Sequence, residues 1–261
     1  MPNSIFGQDE TLVRKDLDRR MDQGFSTSAL SLRERFALTC RYLTDQGHAR
    51  SLAGQVTVRA EDPDTFWTTT WGSGFGQARC SNLVRVNGEM EVVEGVGMPN
   101  PGVRFHLWIY RARPQIGSIV HTHPPFASAL AMARQPLIVG HMDATPFYDD
   151  CAFLPAWPGL PIANEEGRII SEALGARRSI LLANHGLLTT GSTLDAAFYR
   201  AVLLEQACEM QVRAAAVGPL EPLARDEAEK ARDFLLKDSI VAATTNYWLE
   251  EARRRHVDAL D

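Results

Sequence analysis

Three of the seven histidines in this sequence are placed where they could bind one metal ion. His121 and His123 close an apolar run that begins at Gly117, and on a β-strand residues i and i+2 project to the same face. His185 also follows an apolar run, and Gly186 after it permits a sharp turn that leaves the imidazole at the strand end. Three imidazoles with one open position are the usual ligands of a catalytic zinc ion, and they also suit manganese, cobalt or iron(II). The alternative is a coincidental His-x-His pair and an unrelated helix-capping histidine.

The histidines need strands to carry them, and hydrophobic periodicity predicts such elements along most of the chain. A capping box at Ser31-Leu-Arg-Glu34 predicts the start of a helix, and Asn87-Gly88 predicts a hairpin turn. The predicted strands cover 55–59, 66–70, 83–86, 91–94, 117–123, 137–140, 179–183 and 187–190. The predicted helices cover 31–46, 101–113, 124–134, 165–174, 193–216, 226–237 and 239–255. This order is typical of one layered α/β domain.

The same pattern divides the chain into three parts. Residues 1–29 are polar and aperiodic, which predicts an N-terminal arm. Residues 30–218 carry the main domain, and residues 219–261 add C-terminal helices that we expect to pack on that domain. No internal repeat or low-complexity linker separates these parts.

Composition excludes several classes of protein. Of 261 residues, 45% are hydrophobic and 23% are charged, which is typical of a globular chain. A net charge of −5 argues against nucleic acid as a partner. No apolar stretch reaches the roughly 20 residues of a membrane span, and the first twenty residues contain no apolar signal region. Because the four cysteines are scattered, we expect no disulfide framework and predict a cytoplasmic protein with reduced thiols. The expected partner is a small-molecule substrate.

Both histidine motifs resemble those of the class II aldolase/adducin family. They are Gly117–Pro125, which contains His-Thr-His-Pro-Pro, and Leu181–Gly191, which contains Asn-His-Gly. Gly54–Arg59 stands where the family has a Gly-Asn-x-Ser-x-Arg strand, and the resemblance spans about residues 30–215. It implies an α/β class protein with a single-domain α/β/α fold and a central, mostly antiparallel sheet.

The resemblance also implies the contents of the site. His121, His123 and His185 would bind one divalent metal ion per chain. Zinc is the first expectation, with manganese, cobalt or iron as alternatives. Family members are commonly homotetramers with active sites between subunits, so we expect a homo-oligomer.

The chain departs from the family's sugar-phosphate aldolases on the substrate side. Their Pro-Ser-Ser-Glu segment, whose glutamate is an acid/base, reads Pro99-Asn-Pro-Gly102 here. Their Thr-Pro-x-Gly phosphate turn and strand asparagine are altered as well. The substrate-binding candidates at these positions are Gln55, Trp71, Gly72, Asn100 and Gly102. Since three parts of a phosphate cradle change together, we expect an unphosphorylated substrate.

Another acid/base must replace the missing glutamate if the chemistry needs one. The candidates are His141, Asp143 and Tyr148, which would face the ion if the strand predicted at 137–140 lay beside the metal strand. The alternative is a capped loop with a core histidine. We expect His106 to be structural.

The remaining rings have less specific roles. His48 and His256 are expected at the surface. Trp67, Trp71 and Trp157 could wall an apolar pocket, although tryptophans of this kind are more often core.

Four functions are compatible with these residues. The first is a metal-dependent carbon–carbon lyase that cleaves or forms a non-phosphorylated hydroxy-carbonyl or keto acid through an enediolate, as an aldolase does. The second is a decarboxylase of a hydroxylated aromatic or keto carboxylate, which needs no base to remove a substrate proton. The third is a non-haem iron oxygenase acting on an aromatic α-keto acid. The fourth is a non-catalytic, adducin-like scaffold. Because all three histidines are present, we favour the lyase, with the aldolase slightly ahead.

Overall fold

A single eight-stranded sheet forms the centre of the protein. The computed structural model describes residues 7–24, 29–62, 64–160 and 162–261. The strands are β1 (Gln55–Arg59), β2 (Thr65–Thr69), β3 (Leu83–Asn87), β4 (Val92–Glu94), β5 (Ser118–Thr122), β6 (Cys151–Leu154), β7 (Ser179–Leu182) and β8 (Gly186–Gly191). They lie in the order β4-β3-β2-β1-β5-β8-β7-β6, and every neighbouring pair is antiparallel except β6–β7. The predicted α/β class with a mostly antiparallel sheet is therefore confirmed.

Helices precede, interrupt and follow the strands. They are α1 (Glu10–Gly24), α2 (Leu32–Asp45), α3 (Val103–Ala112), α4 (Pro125–Met132), α5 (Asn164–Leu174), α6 (Leu194–Ala215), α7 (Arg225–Leu235) and α8 (Asp238–Arg255). The predicted capping box at the start of α2 is present, because Ser31 Oγ accepts from the Glu34 amide and Glu34 Oε2 accepts from the Ser31 amide at 2.6 Å. Among the described residues, no helix is both long and apolar enough to cross a membrane.

Apolar side chains form a core on each face of the sheet. One core joins α2, α6 and α8, where the Trp248 ring lies 5.5 Å from that of Tyr42 and 5.4 Å from that of Phe198. The other core joins α3 and α5, with Phe105 and Ile170 fully buried. Helices on both faces hold the strands in place, so residues at the strand ends are held by two packed layers.

The region between α4 and β7 differs from the prediction. Residues 137–140 form no strand, and their polar backbone groups bond elsewhere: the Ile138 amide donates to Gln211 Oε1, and Val139 O accepts from the Leu223 amide. A short 3₁₀ helix, Met142–Phe147, then leads into the unpredicted strand β6. The apolar run at 137–140 contacts the core but gains no strand partner.

The segment predicted as an N-terminal arm contains helix α1. Its Asp16 forms ion pairs with Arg19 and Arg20, and Asp18 pairs with Lys237, which directly precedes α8. Charge pairs one turn apart stabilise a helix in this mainly polar segment. Residues 1–6 and 25–28 of the predicted arm lie outside the described residues.

Candidate metal centre

The histidine motifs meet because their strands run in the same direction. β5 and β7 are each antiparallel to β8, so their C-terminal ends lie at one end of the sheet. We call this the histidine end, marked by Thr122 and Leu182. His121 is in β5, His123 follows it, and His185 lies in the tight turn between β7 and β8. The common direction of β5 and β7 thus brings His185 next to His121 and His123, which are 64 and 62 positions earlier in the chain.

The three imidazoles are close enough to share one ion. Their ring centroids lie 4.6 to 4.8 Å apart, and a nitrogen from each lies within 4.8 Å of the others. The Nε2 atoms of His121 and His123 are 3.0 Å apart. Two nitrogens facing each other at this distance, with a third beside them, match the donor set of a three-histidine metal site.

Protonation also suits metal binding. His121 Nδ1 lies 2.7 Å from the carbonyl oxygen of Leu187 and donates to it, which leaves the Nε2 lone pair for the cluster. Burial, with the neighbouring imidazoles, holds the pKa of His121 well below its ordinary value. Burial also lowers the pKa of His123 and brings that of His185 to about 4. At neutral pH all three rings are therefore uncharged, as metal ligands must be.

A buried hydrogen-bonded group lies behind His121. Thr57 Oγ1 is 2.9 Å from His106 Nδ1 and 2.9 Å from the Tyr110 hydroxyl. Phe105 packs edge-on against the rings of both His106 and His121. Burial lowers the pKa of His106 to about 3, so this ring stays neutral and serves to pack the wall that supports His121.

His48 lies inside the protein, so the prediction of a surface residue is wrong. Its Nδ1 is 2.9 Å from Thr122 Oγ1, on the residue between His121 and His123. Burial lowers its pKa to about 3. Gly47 turns the chain with a positive φ of 79°, and this turn folds His48 back beneath the sheet end. Only the tertiary fold creates that contact, so no local pattern could have revealed it.

Gln55 occupies the space next to the missing carboxylate. It pairs with His121 across β1 and β5, so both side chains project to the same face. Gln55 is 8% exposed, and its buried Oε1 has no hydrogen-bond partner among the residues that the structure describes. A Cβ added to Gly102 would lie 2.6 Å from Gln55 Nε2. The glutamine carboxamide therefore fills the position from which a side chain at 102 would have to extend.

The other substrate-side candidates fall into two groups. Both polar side-chain atoms of Asn100 are taken by backbone: Oδ1 accepts from the Gly102 amide at 3.0 Å, and Nδ2 donates to Leu52 O at 3.2 Å. This gives Asn100 a structural role at the start of α3. Trp71 and Gly72 form an open turn after β2, held by a 2.6 Å bond from the Trp71 amide to Met98 O. The indole is half-exposed and stays available.

The three predicted acid/base side chains do not line the cluster. They were expected beside the ion because of a strand at 137–140, but β5 has β1 and β8 as its neighbours. Tyr148 precedes β6, whose first residue pairs with the first residue of β7, at the end of the sheet opposite the histidines. The His141 imidazole is exposed and accepts from the Asp143 amide at 3.2 Å. The strand that would have placed them beside the ion is absent, so the prediction of that strand is wrong, and among the described residues only the three histidines form the cluster.

Exposed apolar side chains surround the histidine end of the sheet. The loop after β6 starts there, because Leu154 pairs with the last residue of β7, and it presents Trp157, Leu160 and Ile162 to solvent. The turn after β2 starts at the same end and presents Trp71, beside the exposed Met98. We call these side chains the apolar rim. Trp67, in contrast, is core.

Glu205 on α6 is an acidic residue whose role the sequence did not reveal. Its carboxylate accepts from the Phe126 and Ala127 amides at 2.8 and 2.7 Å, so it caps the start of α4 just after His123. Burial raises its pKa to about 7 despite these two bonds. The residue helps to fix the chain where it leaves His123.

Comparison with known proteins agrees with this geometry. The profile of the class II aldolase and adducin N-terminal domain matches residues 34–212, more than half of the chain. The chain belongs to this family. In structure it is similar to an L-fuculose 1-phosphate aldolase from Glaciozyma antarctica, with a TM-score of 0.82 and 27% identity over 92% of this chain and 99% of the other. The resemblance inferred from the two motifs is confirmed.

Curated family members include enzymes with different reactions. A 4-hydroxy-3-prenylphenylpyruvate oxygenase/4-hydroxy-3-prenylbenzoate synthase from Streptomyces roseochromogenus is 34% identical, covering 76% of this chain and 73% of its own. The decarboxylase NovR from Streptomyces niveus is also 34% identical, with 76% and 74% covered. A 5-methylthioribulose-1-phosphate/5-deoxyribulose-1-phosphate aldolase from Rhodospirillum rubrum is 32% identical, with 78% and 90% covered. Carbon–carbon bond cleavage is thus represented among the relatives.

Proposed function

We propose that this protein is a metal-dependent carbon–carbon lyase for an unphosphorylated keto acid with an apolar or aromatic substituent, and that decarboxylation is its favoured reaction. The observation that carries the proposal is the Gln55 carboxamide packed against Gly102, beside three neutral histidines. The three histidines are retained, while position 102 carries no side chain and the Gln55 carboxamide lies against it. A reaction that needs the metal but no carboxylate at that position fits both facts.

His121, His123 and His185 would hold the ion, and their low pKa values keep their lone pairs free at neutral pH. A divalent ion bound there supplies Lewis-acid polarisation of a substrate carbonyl. Zinc, manganese, cobalt and iron are all compatible with three imidazoles. The wall of Phe105 and His106 behind His121 fixes the first ring and excludes water from its rear.

The absence of a carboxylate distinguishes the two kinds of cleavage. Retro-aldol cleavage requires a base to take the proton of the substrate hydroxyl. Decarboxylation of a carboxylate that lies β to the keto group requires none: the bond to the carboxylate breaks, its electron pair moves toward the keto group to form an enolate, carbon dioxide leaves, and the enolate takes a proton from water. An amide such as Gln55 donates and accepts hydrogen bonds but does not remove protons at neutral pH. Its unpartnered Oε1 is suited to orient the substrate instead.

The substrate preference follows from the surroundings of the cluster. The Asn100 side chain forms its hydrogen bonds with backbone groups, and Pro101 has no hydroxyl. The segment before α3 therefore provides no hydroxyl groups that could bind a phosphate. The apolar rim, with Trp71 and Trp157, favours an apolar or aromatic group at the entrance. An unphosphorylated aryl keto acid satisfies both features.

Two synthetic probes test the proposal. Phenyloxaloacetate reports decarboxylation through carbon dioxide release, and 4-hydroxy-2-oxo-4-phenylbutanoate reports aldol cleavage through pyruvate. We expect the zinc- or manganese-loaded protein to release carbon dioxide at least about tenfold faster than His121→Ala at the same free metal concentration. Faster cleavage of the hydroxy acid would retain the lyase and overturn the preference for decarboxylation. No metal-dependent cleavage of either probe would overturn the proposal.

An iron oxygenase is the second candidate, favoured by the Streptomyces roseochromogenus relative. Its distinguishing measurement is oxygen consumption by the iron-loaded protein with 4-hydroxyphenylpyruvate. Consumption of one oxygen molecule per substrate molecule would establish the oxygenase. Carbon dioxide release from the same substrate under argon, at the rate seen in air, would exclude the oxygenase.

A further inference from the structure

A cavity of about 470 Å³ lies at the end of the sheet opposite the histidines. Residues beside the start of β5, the start of β7 and the end of β8 line it, together with the first turns of α6 and α8. Three arginines contribute to its wall: Arg113, Arg178 and Arg200. We call it the arginine cavity. It is separate from the proposed catalytic site, because the strands run between the two.

Arg200 is the unusual member of this group. It is only 5% exposed, yet its buried Nε has no hydrogen-bond partner and no carboxylate of the described chain forms an ion pair with it. Its Nη1 donates to the Ala196 carbonyl oxygen one turn earlier in α6. Burial, and then the nearby charge of Arg178, lowers its pKa to about 10. A buried guanidinium whose N–H group has no acceptor destabilises the folded state unless an anion accepts a hydrogen bond from it.

The neighbouring carboxylates do not balance the arginines. Asp150 is taken up by Arg178, whose Nε and backbone amide donate to it at 2.6 and 2.9 Å. Asp195 forms a two-point pair with Arg35 at 3.1 and 2.5 Å. Asp238 is exposed in the first turn of α8, and no ion pair joins it to these arginines. Arg113 donates to carbonyl oxygens of the chain, which leave its positive charge in place.

We propose that the arginine cavity binds a small oxyanion, a phosphate or a carboxylate group, between the guanidinium groups of Arg113, Arg178 and Arg200. Planar guanidinium forks match the oxygen geometry of both groups. The cavity has room for a small metabolite that carries such a group. Bound there, the anion neutralises Arg200 and ties α6 to the start of β7.

Thermal unfolding tests the proposal, with inorganic phosphate and malonate as probes at matched ionic strength. We expect at least one of them to raise Tm saturably, by about 3 to 5 °C at ten times its Kd. The response to each probe tells a phosphate site from a carboxylate site. Arg200→Met should remove the shift, while its own Tm in anion-free buffer stays at or above that of the wild type, because an uncompensated charge is gone. Arg178→Gln should weaken binding about tenfold.

Arg111→Gln is the matched control, because this exposed arginine lies outside the cavity and pairs with Glu89. It should keep the wild-type response. A full anion-dependent shift in Arg200→Met would overturn the assignment, as would the lack of any shift in the wild type with both probes. A change in oligomeric state of Arg200→Met in anion-free buffer, without any anion effect, would also overturn it, because an acidic group of a second copy would then fill the cavity.

Discussion

Gly186→Ala should damage the metal centre while leaving most of the fold intact. Gly186 is the first residue of β8, and no unusual φ requires glycine there, so only its close contacts oppose a methyl group. An added Cβ would lie 2.5 Å from Thr122 O and 2.8 Å from His123 Cδ2. Since an ordinary contact begins near 3.4 Å, the His123 ring must move by roughly 0.6 Å and the Thr122 backbone by more.

The magnitude follows from these displacements. Overpacking of this kind costs about 1–3 kcal/mol of unfolding free energy, or roughly 2 to 10 °C in Tm for a chain of this size. Disturbing the support of a ligand lowers metal affinity by about 10- to 100-fold, and a misplacement near 1 Å lowers activity by a similar factor. We therefore expect metal affinity to fall further than stability.

Competition with a chromophoric zinc chelator measures the affinity, and thermal unfolding with and without metal measures the stability. Gly218→Ala is the control, because its added Cβ would meet nothing within 4 Å. Zinc affinity within twofold of wild type in Gly186→Ala, at an unchanged Tm, would refute the claim that this glycine admits His123 to the cluster.

Three further predictions follow from the same contacts. His121→Ala should remove stoichiometric metal, measured by elemental analysis, and activity, while circular dichroism stays near wild type; full activity would refute the ligand assignment. Gly102→Glu should not cleave fuculose 1-phosphate, because Asn100 gives its side-chain hydrogen bonds to backbone and Pro101 has no hydroxyl, so the segment before α3 still lacks phosphate ligands; robust cleavage would contradict us. Glu205 has a pKa near 7 when folded and about 4.5 when unfolded, so the folded state binds more protons between these values and stability falls as pH rises from about 4.5 to 7. Relative to Glu205→Gln, the wild type should lose up to about 3 kcal/mol of unfolding free energy over this pH range, as measured by urea unfolding. Parallel dependence of the unfolding free energy on pH in the two proteins would refute the assignment.

Local sequence determined the elements whose signals depend on near neighbours. The capping box at Ser31, the alternation of His121 and His123, and the turn after His185 each involve a few consecutive residues, and each was found as predicted. Backbone geometry sets these patterns whatever the rest of the chain does. The two histidine motifs were also sufficient to recognise the family.

The tertiary structure decided how those elements meet. Strand order depends on pairing between distant segments. That pairing left 137–140 without a neighbouring strand and placed Tyr148 at the end of the sheet opposite the histidines. The same long-range pairing set Gln55 opposite His121. Helix packing on the sheet buried His48 and left the Arg200 Nε without a hydrogen-bond partner among the described residues. Residue types and spacing therefore predicted the cluster of three histidines, whereas cross-strand register and packing determined which side chains surround it.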